Sequence, residues 1–154
     1  MCYHSDEVKG FLFERVSTMS SSMSSSSLSG KRVLLCDDHK LNAAITAKML
    51  ERVGVVVVRA DNGRTGYQLF LEEEAGFFDA VLMDLNMPIM NGQEAAKAIR
   101  ASSKDDAASI PIIAVSAQDC TTMNSSGEIN AWLVKPVEPE ALYAALHRFI
   151  IESE

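Results

Sequence analysis

Short apolar runs alternate with longer amphipathic stretches from Lys31 onward. The runs fall at residues 33–36, 55–58, 80–83, 110–115 and 131–134. They lack polar alternation, which is how strands covered on both faces of a parallel sheet read. Between and after them, the sequence predicts helices over about residues 40–53, 64–75, 92–103 and 138–152. In the last of these, Ala141, Leu142, Ala145, Leu146, Phe149 and Ile150 recur at three- and four-residue spacing and give one apolar face to lay on the sheet. Five strands joined by helices imply an α/β, doubly wound parallel sheet with right-handed crossovers and helices on both faces. Ligands in such sheets bind at the carboxyl ends of the strands.

The first 30 residues have a different composition. Residues 17–29 are mostly serine, too poor in apolar surface to build a core, so residues 1–30 are expected to be a flexible leader or linker and residues 31–152 the folded domain. The stretch from Gln118 to Gly127 is rich in Ser and Thr with little helical periodicity. It predicts a short, irregular or absent fourth helix.

Composition narrows the function classes. A chain of 154 residues with 47% hydrophobic and 23% charged residues is sized for one soluble core. Its net charge of -7, without clustered Lys and Arg, speaks against direct nucleic-acid binding and for protein partners. Cys2, Cys36 and Cys120 are odd in number and far apart, so neither a disulfide framework nor a thiolate zinc site is expected. With no secretory signal, this fits a reducing cytoplasmic compartment. No apolar run approaches the ~20 residues of a membrane-spanning helix.

The chemistry gathers where the apolar runs end. The first is followed by Asp37 and Asp38, the third by Asp84, the fourth by Ser116 and the fifth by Lys135 and Pro136. Singly, each has a plain structural reading, since Asp and Ser cap helices and start turns. All of them at one sheet edge is harder to explain that way. Two unit charges ~4 Å apart cost roughly 4 kcal/mol at an effective dielectric of 20. Three converging carboxylates therefore require a cation, and oxygen ligands suit a hard ion such as Mg²⁺, with the Lys135 ammonium assisting. In that setting a carboxylate oxygen of Asp84 is placed to attack phosphorus, with Ser116 donating to a phosphoryl oxygen.

These residues resemble the receiver domain of response regulators, the CheY-like family, over about residues 31–152. The most specific segment is Asp84-Leu85-Asn86-Met87-Pro88-Ile89-Met90-Asn91-Gly92, which looks like the family's acceptor loop; Asp61-Asn62-Gly63 and Ile110-Pro111-Ile112-Ile113 also match. The resemblance implies a flavodoxin-like strand order 2-1-3-4-5, counting strands from Lys31. It implies phosphorylation of Asp84, and Mg²⁺ held by Asp38 directly, by Asp37 and Asp84, and by the backbone carbonyl of Asn86. Ser116 and Trp132 would form the switch, and Asn86 and Gln118 would tune hydrolysis. The implied role is that of a phosphoacceptor in a two-component phosphorelay, not an enzyme acting on a separate substrate. Its donor would be a histidine kinase or histidine phosphotransfer domain, and the chain a monomer or weak dimer, with features of the hybrid histidine kinase type.

Three other readings are weaker. An aspartyl-phosphate phosphatase of the haloacid dehalogenase kind needs a second Asp two residues after the nucleophile, where this chain has Asn86. A degenerate receiver that only binds proteins would not need Asp37, Asp38, Asp84, Ser116 and Lys135 together. A nucleotide-binding fold is disfavoured because no glycine-rich loop follows the first strand.

Overall fold

The computed structural model describes residues 2–3, 27–117 and 127–152. Its strands are β1 Cys2–Tyr3, β2 Arg32–Cys36, β3 Val56–Ala60, β4 Ala80–Asp84, β5 Ile112–Ser116 and β6 Ala131–Val134. Its helices are α1 Lys40–Arg52, α2 Gly63–Glu72, α3 Gly92–Ala101 and α4 Pro139–Leu146, the last continuing as a π-helical turn over His147–Ile151. All pairings are parallel, and the sheet order is β1-β6-β5-β4-β2-β3. Without β1, this is the expected five-stranded order 2-1-3-4-5.

The unbroken apolar runs follow from burial on both faces. Along β2, Val33 and Leu35 face one core with Leu82, Ile113, Leu133 and Leu142, while Leu34 and Cys36 face a second with Phe70, Met83, Ile99 and Trp132. Successive strand residues point to opposite faces, so a strand between two helical layers is apolar at every position. α1 closes the first core through Ala43, Ala47 and Leu50, and α4 through Ala141, Leu142 and Ala145. α2 and α3 close the second through Phe70, Ala95, Ala96 and Ile99.

Local chemistry sets the helix starts. The Asn62 side chain accepts from the Thr65 amide at 2.8 Å, and Asn91 forms a reciprocal capping box with Glu94. Pro139 opens α4, where its missing N–H costs nothing.

The leader boundary at residue 30 needs revision. Leu28 is 1% exposed and belongs to the first core, and Gly30 donates its amide to the Gly54 carbonyl at 2.8 Å. The folded core thus includes Leu28, whose burial outweighs the polarity of its serine neighbours. Cys2–Tyr3 adds a sixth strand that composition did not predict. The expectation of a short, irregular or absent fourth helix rests on residues 118–127, of which 118–126 lie outside the described residues.

Candidate phosphoacceptor site

Parallel pairing in register brings the strand ends level. Cys36 pairs with Met83, Asp84 with Val115 and Ser116 with Val134, so the residues at and just beyond these positions emerge along one edge. Asp37 and Asp38 follow β2, Asp84 and Ser116 terminate β4 and β5, and Lys135 follows β6. One carboxylate oxygen from each of Asp37, Asp38 and Asp84 lies within 4.8 Å of the others. Asp84 is 3% exposed, Asp37 is nearly buried and Asp38 is open to solvent.

The Asp84 carboxylate is held at both oxygens. Lys135 Nζ donates to Oδ2 at 3.0 Å, and the Asn86 amide donates to Oδ1 at 3.0 Å. Asp37 Oδ1 accepts from the His39 amide at 2.9 Å. Burial nonetheless pushes the Asp37 carboxyl above its ordinary value, with the charge of Asp84 adding to the effect; the His39 amide and Lys135 pull it back only in part. The cluster carries more negative charge than the Lys135 ammonium balances. All-oxygen donors with excess negative charge fit a hard divalent cation.

The loop after Asp84 is built for close approach. The Leu85 amide donates to the Val115 carbonyl at 3.1 Å, and the Gly92 amide returns to the Leu85 carbonyl at 3.2 Å. A Cβ at Gly92 would collide with the Asp84 carbonyl oxygen and lie 2.8 Å from Met83 Cγ, so only glycine lets α3 start this close to Asp84. Ile89 adopts φ 70° where the Met90 amide donates to the Pro88 carbonyl at 2.7 Å.

Ser116 is 2% exposed at the end of β5, and its carbonyl accepts from the Lys135 amide at 2.8 Å. That bond ties the hydroxyl-bearing strand to the lysine. The Lys135–Pro136 peptide is cis. Trp132 is 8% exposed, its side chain packed into the second core. Gln118 lies outside the described residues.

Sequence reading missed two features. His39 is the N-cap of α1, its Nδ1 accepting from the Asn42 amide at 3.3 Å. A cavity of about 380 Å³ opens beside Asp37, Asp84 and Lys135, lined by Ile45, Thr46 and Met49 of α1 and by Pro136 and Val137. Ile45 and Met49 stand four residues apart on α1, a spacing that places them on one face.

The fold and this edge define a class: a doubly wound parallel α/β protein with an acidic, cation-ready pocket in which a buried aspartate meets a lysine. Residues 33–147 match the family described as the response regulator receiver domain. The chain is 30% identical over 131 residues to hybrid signal transduction histidine kinase I of Dictyostelium discoideum, covering 81% of this chain and 8% of that protein. It thus spans a small part of the length of such curated relatives.

Among solved structures, it is similar to the receiver domain of sensor histidine kinase PA1611 from Pseudomonas aeruginosa PAO1, which has a magnesium ion coordinated in its active site cleft. That likeness has a TM-score of 0.68 and 27% identity, and covers 79% of this chain and 98% of the other. It also resembles a chain in the co-crystal structure of the Saccharomyces cerevisiae histidine phosphotransfer protein Ypd1 with the receiver domain of its response regulator Ssk1, at a TM-score of 0.68 and 25% identity, over 82% of this chain and 92% of that one. The chain belongs to the response regulator receiver domain family. It is a receiver domain of two-component phosphorelay signalling.

Proposed function

We propose that Asp84 is the phosphoacceptor of this receiver, charged from the phosphohistidine of a histidine kinase or histidine phosphotransfer domain. The observation that carries this reading is the contact of Lys135 Nζ with Asp84 Oδ2 inside the carboxylate cluster. In the transfer, a bond forms between an Asp84 carboxylate oxygen and phosphorus as the bond from phosphorus to imidazole nitrogen breaks, the electron pair leaving with the imidazole. Lys135 passes from Oδ2 to the phosphoryl oxygens, and the Asn86 amide keeps the carboxylate oriented. The Ser116 hydroxyl donates to a phosphoryl oxygen.

Asp37, Asp38, Asp84 and the Asn86 carbonyl would hold Mg²⁺, which when bound neutralises charge on the phosphoryl group. The magnesium in the Pseudomonas neighbour supports that assignment. Partner docking would use the exposed side chains of α1, where Leu41 is 64% exposed and Ile45 lies at the cavity rim. The histidine phosphotransfer partner in the yeast complex supports this class of donor.

Phosphorylation would be read through Ser116 and Trp132. Since Trp132 is already packed inside, we expect repacking within the second core rather than entry from solvent. Asn86, with Gln118, would set a phosphorylated lifetime of seconds to minutes. The chain catalyses only its own phosphorylation and dephosphorylation, in the cytoplasm, as a monomer or weak dimer. The hybrid-kinase relative supports a place within a larger kinase. No helix among the described residues is long and apolar enough to cross a membrane.

The test is incubation with acetyl phosphate and Mg²⁺ followed by intact mass. One added phosphoryl group is expected, absent in Asp84→Asn. No added mass in the unaltered chain, or a phosphoryl group that persists for many hours in Mg²⁺, refutes the acceptor role or the lifetime respectively.

A further inference from the structure

The two edges of the sheet are protected differently. On β3, Arg59 places an exposed charge on the edge strand, and its guanidinium donates to the Lys40 carbonyl at 3.4 Å. Charged residues of this kind discourage strand addition by another chain. On β6, the sequence is Ala131-Trp132-Leu133-Val134, with neither charge nor proline. Such an edge presents unpaired backbone groups beside apolar side chains, a template for pairing with any extended segment. In this chain it is occupied: Cys2 pairs with Trp132 and Tyr3 with Leu133, in parallel register.

We infer that the β6 edge is a docking surface for a short extended segment, and that its occupant is the chain's own Cys2–Tyr3, held by a tether and displaceable. Two paired residues supply only a few backbone hydrogen bonds, so the strand is weakly held for its own contacts. Covalent attachment to the same chain offsets this, because an intramolecular segment meets its site without the concentration cost of a separate partner. A covered edge that opens readily results. The edge also contains Trp132, and three residues on stands Lys135, whose ammonium touches Asp84. The cap therefore sits on the strand that leads into the acidic site, and a competing strand would have to displace it there.

Hydrogen exchange in the full-length chain tests this. Proline at both positions, Cys2→Pro with Tyr3→Pro, removes whichever amide faces β6. Exchange across residues 131–134 should rise by roughly 5- to 30-fold, the factor expected for losing one or two weak bonds, while β5 stays unchanged. Tyr3→Ala, which keeps the amide, should retain most of the protection. Unchanged exchange at 131–134 in the proline variant overturns the inference. So does equal loss in Tyr3→Ala, which would assign the contact to a side chain. Protection in the unaltered chain that disappears on dilution also overturns it, because a second copy would then be covering the edge.

Discussion

Lys135→Met removes the ammonium that faces the carboxylate cluster while keeping the length of the side chain. The lost contact is 3.0 Å long and its acceptor, Asp84, is 3% exposed. At an effective dielectric of 20, that attraction is about 5.5 kcal/mol. The lysine side chain is a quarter exposed, so part of this is screened, and its desolvation is recovered on removal. Breaking a buried pair from one side generally costs ~3–5 kcal/mol. A loss of about 2–4 kcal/mol in EDTA is therefore expected, the carboxylates of Asp37 and Asp38 adding their repulsion to the stranded Asp84. At a urea slope of about 2 kcal/mol/M, the midpoint falls by roughly 1–2 M.

Mg²⁺ should restore more stability to the variant than to the unaltered chain, because the competing ammonium is gone. At a hundredfold excess over its dissociation constant, a ligand contributes about 2.7 kcal/mol. Adding Asp84→Asn to Lys135→Met should recover most of the loss, showing that the stranded charge and not the lysine stem is responsible. Urea melts with and without Mg²⁺ read all of these. A metal-free midpoint within about 0.3 M of the unaltered chain would show that Lys135 does not balance the cluster.

Asp37 gives a pH dependence of definite sign. Its folded-state value is raised, chiefly by burial, so its ionisation opposes folding: the associated stability is complete below the ordinary value of 3.8 and is lost as pH rises through the raised one. In EDTA, the contribution of Asp37 should thus stabilise the protein as pH falls from neutrality, and Asp37→Asn should flatten that part of the urea-midpoint profile. Gly92→Ala should cost about 1–3 kcal/mol by overpacking against Asp84 and Met83, and should slow phosphoryl uptake, measured by thermal melting and by mass after acetyl phosphate. Arg100 donates to the Ala107 carbonyl and Asn130 Oδ1 at 2.8 Å each and to the Glu128 carbonyl at 3.1 Å. Arg100→Met should cost roughly 2–4 kcal/mol, with Arg100→Lys restoring less than half because an ammonium lacks the planar fork; calorimetry reads both.

The order of strands and helices was legible in the sequence because a sheet buried on both faces leaves unbroken apolar runs, and because each run here ends in a polar or charged group. That pattern was enough to nominate Asp37, Asp38, Asp84, Ser116 and Lys135 for one edge. It could not show that the Asn86 amide and Lys135 hold opposite oxygens of Asp84, since those contacts depend on loop conformation and on strand register across 51 residues. Helix ends were read less well. The 64–75 helix stops at Glu72, where Lys104 Nζ reaches back to the Phe70 carbonyl at 2.6 Å, and no local signal announces a donor 34 residues away.

Leu28 and Cys2–Tyr3 mark the remaining difference. Composition placed them in a leader because it averages over neighbours, whereas burial and edge pairing act on single residues. The sequence by itself determined the alternation of elements and the kind of chemistry at their ends. Only the tertiary structure decided which oxygen meets which donor, where the core begins and what lies along β6, because each is set by residues distant in the chain and adjacent in space.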